Sequence, residues 1–220
     1  MQRPRVTPYP TERSRAPAPK RARLGAKGMP ATTVTQTNRD ELILVDRHNR
    51  SVGRADKRTV HAEGLLHRAF SIFLVDPNGL LLLQRRDLAK YHSGGLWANS
   101  CCGHPAPGER TVTAARRRLG EELGATAPLT LGFVTRYHIA FPNGLQENEI
   151  VHVYFGAMPA AIRPNRAEVM DVSLRALSDL EKETNDHPDR YSFWLRHYLT
   201  HHRGSVASGL NRTVRLARKR

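Results

Sequence analysis

The chain has 220 residues, with 35 Lys/Arg against 20 Asp/Glu, a formal net charge of +15 and two cysteines. The cysteines are adjacent, so the ring they would close is strained and no third thiol exists. That excludes a disulfide-stapled fold and points to a reducing, cytoplasmic setting. No run of about 18 apolar residues is present, which excludes a membrane-spanning helix, and the N-terminus lacks the apolar core of a signal peptide. The charge sits at the ends: residues 1–38 carry +7 and residues 203–220 carry +6, so 39–202 holds only +2. A nearly neutral body argues against specific nucleic-acid recognition.

Residues 1–38 are rich in Pro, Arg, Ala and Thr without apolar periodicity, and read as a disordered basic extension, with Met29 a candidate start. Residues 39–202 read as one folded domain and 203–220 as a basic C-terminal tail. ELILVD, from Glu41, reads as a strand, with a second short strand near 51–55. HRAFSIFLVD and GLLLLQRR read as strands around the Pro77-Asn78-Gly79 turn. GERTVTAARRRLGEELG reads as a helix, because Val112, Ala115, Leu119 and Leu123 recur at helical spacing and Gly124 ends it. LTLGFVTRYHI and EIVHVYFGAM read as strands joined by the loop AFPNGLQEN, and EVMDVSLRAL as the last strand. SDLEKET and YSFWLRHYLTHH read as helices. Strands on both sides of one long helix predict an α/β sandwich with a mixed sheet.

Gly103, Glu109, Arg117, Glu121, Glu122 and Gly124 stand at the spacing of the Nudix box, G-x5-E-x7-R-E-U-x-E-E-x-G-U, with U aliphatic. The segment resembles that box and implies a Nudix-type α/β/α sandwich. Glu121 and Glu122 lie one helical turn after Arg117 and Arg118, so carboxylates stack on one face and can hold Mg²⁺ on a diphosphate. The box has a second glutamate after its arginine, where this chain has Arg118. A cation there removes a metal ligand and adds a phosphate clamp.

Three further pieces carry chemistry. HAEGLLHRAF holds His61 and His67, CCGH holds Cys102 and His104, and QENE holds Glu147 and Glu149. In an extended segment the two glutamates point to the same side. Three imidazoles with two carboxylates make a nitrogen/oxygen set suited to Zn²⁺, Mn²⁺ or Mg²⁺. A structural zinc site built on the adjacent cysteines has poor spacing.

Taken together, HxxxGLLHRAF, WxNSxCGHP, the altered box, Arg136-Tyr137 and ENE resemble type I isopentenyl-diphosphate delta-isomerase over roughly residues 40–200. That resemblance implies proton addition and removal on an allyl unit, interconverting isopentenyl and dimethylallyl diphosphate. It implies Cys102 and Glu149 as the acid/base pair, with Tyr137 beside Glu149. It implies one Mn²⁺, Zn²⁺ or Mg²⁺ on His61, His67, His104, Glu147 and Glu149, and a diphosphate-bound Mg²⁺ helped by Glu122. Lys57, Arg86, Lys90 and Arg118 are implied to grip the diphosphate, and Trp194 to close over the substrate and face the carbocation. Trp97 reads as structural and Cys101 as a small buried filler. The expected partner is a small diphosphate, with no specific nucleic acid and a monomeric chain. A Nudix diphosphohydrolase and a nucleic-acid-binding protein acting through its basic ends are the competing readings. Arg118 and Cys102 weigh against the first, and the near-neutral body against the second.

Overall fold

The computed structural model describes residues 40–219, so the N-terminal extension lies outside the described residues. Nine strands form one mixed sheet. In chain order the first elements are β1 (Glu41–Val45), β2 (Ser51–Asp56), α1 (Lys57–Glu63), β3 (His67–Val75) and β4 (Leu81–Arg86). Then come β5 (Trp97–Asn99), β6 (Cys101–Gly103), α2 (Thr111–Leu123), β7 (Thr130–Ala140), β8 (Gln146–Ala157) and β9 (Val169–Arg175). Three helices follow, α3 (Leu177–Asp186), α4 (Phe193–His201) and α5 (Arg203–Ala217), with a 3-10 turn at Pro188–Arg190.

β3 is the hub. It pairs with β1, β4 and β6 antiparallel and with β8 parallel. Its run AFSIFLV is apolar almost throughout because both faces are covered. Ala69, Phe73 and Val75 face a core shared with Leu180, Leu195, Tyr198 and Val206 of α3, α4 and α5. Phe70, Ile72 and Leu74 face a second core shared with Ala114, Ala115, Leu119 and Leu123 of α2. The expected α/β/α sandwich is therefore present. Leu119 and Leu123 are both fully buried, and each contributes about 2 kcal/mol to holding α2 on the sheet. Gly124 ends α2 at φ 57, and a side chain there would sit 2.9 Å from Arg163 Cβ. Glycine is thus required both by the left-handed cap and by the space.

Two expectations change, and one helix is new. The basic C-terminal segment is not a tail but α5. Val206, Leu210 and Val214 form one stripe that packs into the α3–α5 core, and Gly209 lets the helix lie against Phe155, where a Cβ would come within 2.5 Å of the ring. The charge of the segment is compatible with a packed helix because Arg203, Arg215 and Arg218 point outward. The loop before ENE is only 141–145, closed by Phe141 N–H donating to Leu145 O at 2.8 Å, and β8 begins at Gln146. The segment after the second strand is helix α1, capped by Asp56, whose carboxylate accepts from the N–H groups of Arg58 and Thr59 at 2.9 and 3.3 Å.

Candidate active site

The site forms where β3 and β8 begin, because their parallel register sets His67 against Glu149. The β7–β8 register then sets Tyr137 against Glu149, and the β3–β6 register sets Cys102 against Ser71. Glu147 and Glu149 lie on one face of β8, and both are buried. Helix α1 brings His61 in from outside the sheet, fully buried. Gly64 ends that helix at φ 64, and a Cβ there would lie 2.6 Å from the Gln146 amide. The turn after β6 adds His104.

His61, His67, His104 and Glu147 offer ligand atoms that all lie within 4.8 Å of one another. Glu149 Oε1 approaches His67 Nε2 at 3.4 Å and accepts from His104 Nε2 at 2.8 Å. All five residues predicted as ligands are thus together. His61 Nε2, His67 Nε2 and Glu147 Oε2 are buried and have no hydrogen-bond partner. Buried polar atoms are rarely left so unless something else binds them. His67 Nδ1–H donates to Leu65 O at 2.8 Å, which turns Nε2 into the cluster. The donor set and its orphaned atoms fit a divalent metal.

The electrostatics agree. Burial opposes charge on His67, yet the carboxylates of Glu147 and Glu149 win and raise it to about 10. Burial likewise opposes ionisation of Glu147, but His61, His67 and His92 hold it well below the usual carboxylate range. Glu149 is also held low, with burial and Glu147 opposed by His104 and His67. His104 is pushed down to about 4, mainly by burial, and stays neutral. Two adjacent buried carboxylates thus stay ionised against burial because the histidines face them, and a divalent ion held there would add positive charge of the same sense.

Two contributors belong to no motif and escape a reading of the sequence. His92 Nε2 donates to Glu147 Oε1 at 2.8 Å while its ring stacks on Phe141 at 4.7 Å. Tyr91 Oη meets His61 Nδ1 at 2.9 Å. Tyr91-His92 lies in the loop after β4, and no local spacing announces its contact with β8.

A cavity of about 380 Å³ opens beside the cluster. Cys102, Tyr137, Glu149 and Trp194 line it, together with Glu122, Lys57, Arg86, Lys90 and Arg118. Every residue predicted for catalysis or substrate binding is on its wall. Tyr137 Oη donates to Glu149 Oε2. Cys102 Sγ–H donates to Asn99 Oδ1 at 3.3 Å, and Ser71 Oγ lies 3.4 Å away. Burial pushes the Cys102 thiol up to about 12, against Ser71 and Arg86, which favour the thiolate. Burial thus favours the thiol form of Cys102, and the facing histidines favour the carboxylate form of Glu149. Cys101 is buried on the α2 side of the sheet, as expected of a filler. Trp194 is buried under Arg86, whose guanidinium carbon lies 5.1 Å from the ring centre.

The cavity wall is also cationic. Burial lowers the Lys57 ammonium below its usual range, Glu147 opposes this, and Lys90, Arg118 and Arg86 lower it further. Four cations close enough to disfavour one another make an anion site. Arg118 lies against three carboxylates. It donates to Glu121 Oε2 at 2.7 Å, to Glu122 Oε1, and to Glu168. Glu122 also accepts from Gln84 Nε2 at 3.0 Å. Arg117 bridges Glu109 and Glu121. The box arginine therefore ties its own helix to the preceding loop, while the residue that replaces the box glutamate enters the cavity.

This sheet, with a glutamate-bearing helix on one face, defines a NUDIX-fold protein, and the NUDIX domain model matches residues 65–195. The structure of DR0079 from Deinococcus radiodurans is similar, with a TM-score of 0.57 at 20% identity over 67% of this chain and 90% of that one, which supports the fold. Among curated proteins, Isopentenyl-diphosphate Delta-isomerase 2 of Aromatoleum aromaticum is 46% identical over 71% of this chain and 82% of its own length. Isopentenyl-diphosphate Delta-isomerase of Serratia proteamaculans is 43% identical over 80% of this chain and 97% of its own. That of Streptomyces avermitilis is 39% identical over 81% and 95%. The chain belongs to the isopentenyl-diphosphate Delta-isomerase family. Among the described residues, no helix is long and apolar enough to cross a membrane.

Proposed function

We propose that this protein isomerises isopentenyl diphosphate to dimethylallyl diphosphate by moving one proton on and another off the five-carbon unit. The observation that carries the reading is the cavity wall, where Cys102 and Glu149 share one chamber with Lys57, Arg86, Lys90 and Arg118. The diphosphate is held by Lys57, Arg86, Lys90 and Arg118, which places the hydrocarbon end toward Cys102 and Glu149. One of these two gives a proton to the alkene, and the other removes one from the neighbouring carbon. After a turnover the proton between them has changed hands, so the pair carries one proton in total. Tyr137 donates to Glu149 Oε2 and holds that carboxylate in one rotamer while its charge changes.

The carbocation formed on protonation would be captured by water. Trp194, Tyr137 and Phe70 line the chamber and limit water, and aromatic faces attract the cation by about 2 kcal/mol when desolvated. His61, His67, His104, Glu147 and Glu149 would hold a divalent ion, Mn²⁺, Zn²⁺ or Mg²⁺. When bound, that ion supplies the positive charge that keeps both glutamates in register. Glu122 would help hold a second ion, Mg²⁺, on the diphosphate. Hydrolysis is disfavoured because Arg118 stands where a third box carboxylate would bind metal.

The test is incubation of the Mn²⁺- and Mg²⁺-loaded protein with isopentenyl diphosphate, following both products and phosphate. Dimethylallyl diphosphate without phosphate release is expected. Release of phosphate without the isomer would favour the hydrolase instead.

A further inference from the structure

We propose that Glu168 is a positioning residue whose carboxylate occupies the grip of Lys90 and Arg118 until the substrate's diphosphate displaces it. This rests on reading the cavity as a diphosphate site. Glu168 belongs to no motif, and it stands one residue before β9. Its Oε2 accepts from Lys90 Nζ at 2.7 Å and from Arg118 Nη2, and its Oε1 lies 3.4 Å from Arg118 Nη1. It lines the same cavity as both cations.

The backbone explains the placement. Glu168 O accepts from Asp87 N–H at 2.9 Å, which ties the turn to the loop that carries Lys90. Asn165 N–H donates to Glu122 O at 2.8 Å, which ties the same turn to the end of α2, the helix that carries Arg118. The carboxylate is thus suspended between the two elements whose cations it joins. Glu121 and Glu122 also meet Arg118, but they are three and four residues along the same helix and move with it. Glu168 is the carboxylate of the three that reaches Arg118 from another element, and it also holds Lys90.

A carboxylate and a diphosphate offer these cations the same chemistry, anionic oxygens facing a planar guanidinium and an ammonium. Both cannot fill the same N–H groups, and two anions side by side repel. Diphosphate binding is then an exchange of partners. Glu168 keeps Lys90 and Arg118 extended into the cavity and offsets part of their charge, at a cost in affinity. Its carboxyl is held down to about 2, with burial overcome by Arg118 and Lys90, so it stays ionised at every working pH.

The experiment measures pyrophosphate binding to the full chain by calorimetry, with and without Mg²⁺, for wild type, Glu168→Gln, Glu168→Asp and Arg118→Gln. Glu168→Gln is expected to bind pyrophosphate about tenfold more tightly, because a charged hydrogen-bond acceptor no longer competes. KM for isopentenyl diphosphate is expected to fall by a larger factor than kcat changes. Glu168→Asp, which keeps the charge but shortens its reach, is expected to give a smaller gain, and it serves if the Gln variant does not fold. Folded variants with unchanged pyrophosphate affinity would make Glu168 a purely structural ion pair and overturn the inference. Weakened binding confined to the Mg²⁺ samples would make it a metal ligand and overturn it equally. If Arg118→Gln binds pyrophosphate as well as wild type, the diphosphate-site reading fails instead.

Discussion

Loading the His/Glu cluster with a divalent ion should expel a proton from His67. Its Nε2 faces Glu147 and Glu149 at 3.5 and 3.4 Å, and these carboxylates hold the imidazole at about 10. A ligand nitrogen must give up that proton. At pH 7.5 this costs about 3 kcal/mol, a loss of roughly two orders of magnitude in apparent affinity. His104 is already neutral, held at about 4, and adds no proton to the release. Apparent Mn²⁺ affinity should therefore rise about tenfold per pH unit between about pH 7 and 9. Calorimetry in two buffers of different ionisation enthalpy should show about one proton taken up by buffer per ion bound. The same linkage acts on stability. A folded value of about 10 against an ordinary 6.5 stabilises the metal-stripped protein fully below pH 6.5, and that contribution is lost as pH rises toward 10. The Tm of stripped protein should fall across that window. An Mn²⁺ affinity independent of pH between 7 and 9 would refute the argument.

Other consequences follow from single contacts. His92→Phe keeps the stack on Phe141 but removes the donor to Glu147 Oε1, so Mn²⁺ affinity should drop about 10- to 100-fold by titration. Tyr137→Phe deletes the bond to Glu149 Oε2, and kcat should fall about 10- to 100-fold, the size of a charged hydrogen bond. Cutting the chain after His202 removes α5 and uncovers Phe155 and the α3–α5 core. Thermal unfolding should show a loss of several kcal/mol, since Val206 alone accounts for about 2 kcal/mol of apolar burial. An unchanged Tm after that cut would mean that α5 does not hold the core.

Much of the site is legible in the sequence because its residues travel in short motifs with a geometric meaning. The alternation Glu147, Glu149 needs only strand geometry, and the box spacing needs only helix geometry. Cys102 and His104 sit on either side of Gly103 at the end of β6, and that short stretch brings a thiol to the cavity and an imidazole to the His/Glu cluster. What the motifs cannot convey is contact made by tertiary register. His92 reaches Glu147 across 55 positions and Glu168 reaches Arg118 across 50, and neither is flagged by its neighbours. Helix α5 is concealed differently. The spacing Val206, Leu210, Val214 is helical, but the arginines around it suggest a solvated tail. The three-residue strands β5 and β6 are too short for any period to show. Their pairing with β4 and β3 is set by the sheet.

The most direct test of the central claim is isomerisation of isopentenyl diphosphate in D₂O by metal-loaded wild type, Cys102→Ala, Glu149→Gln and Cys101→Ala. Wild type and Cys101→Ala should incorporate deuterium into dimethylallyl diphosphate, while Cys102→Ala and Glu149→Gln lose turnover by orders of magnitude. Full activity in either of those two variants, or product from wild type without deuterium, would contradict proton transfer by the Cys102–Glu149 pair.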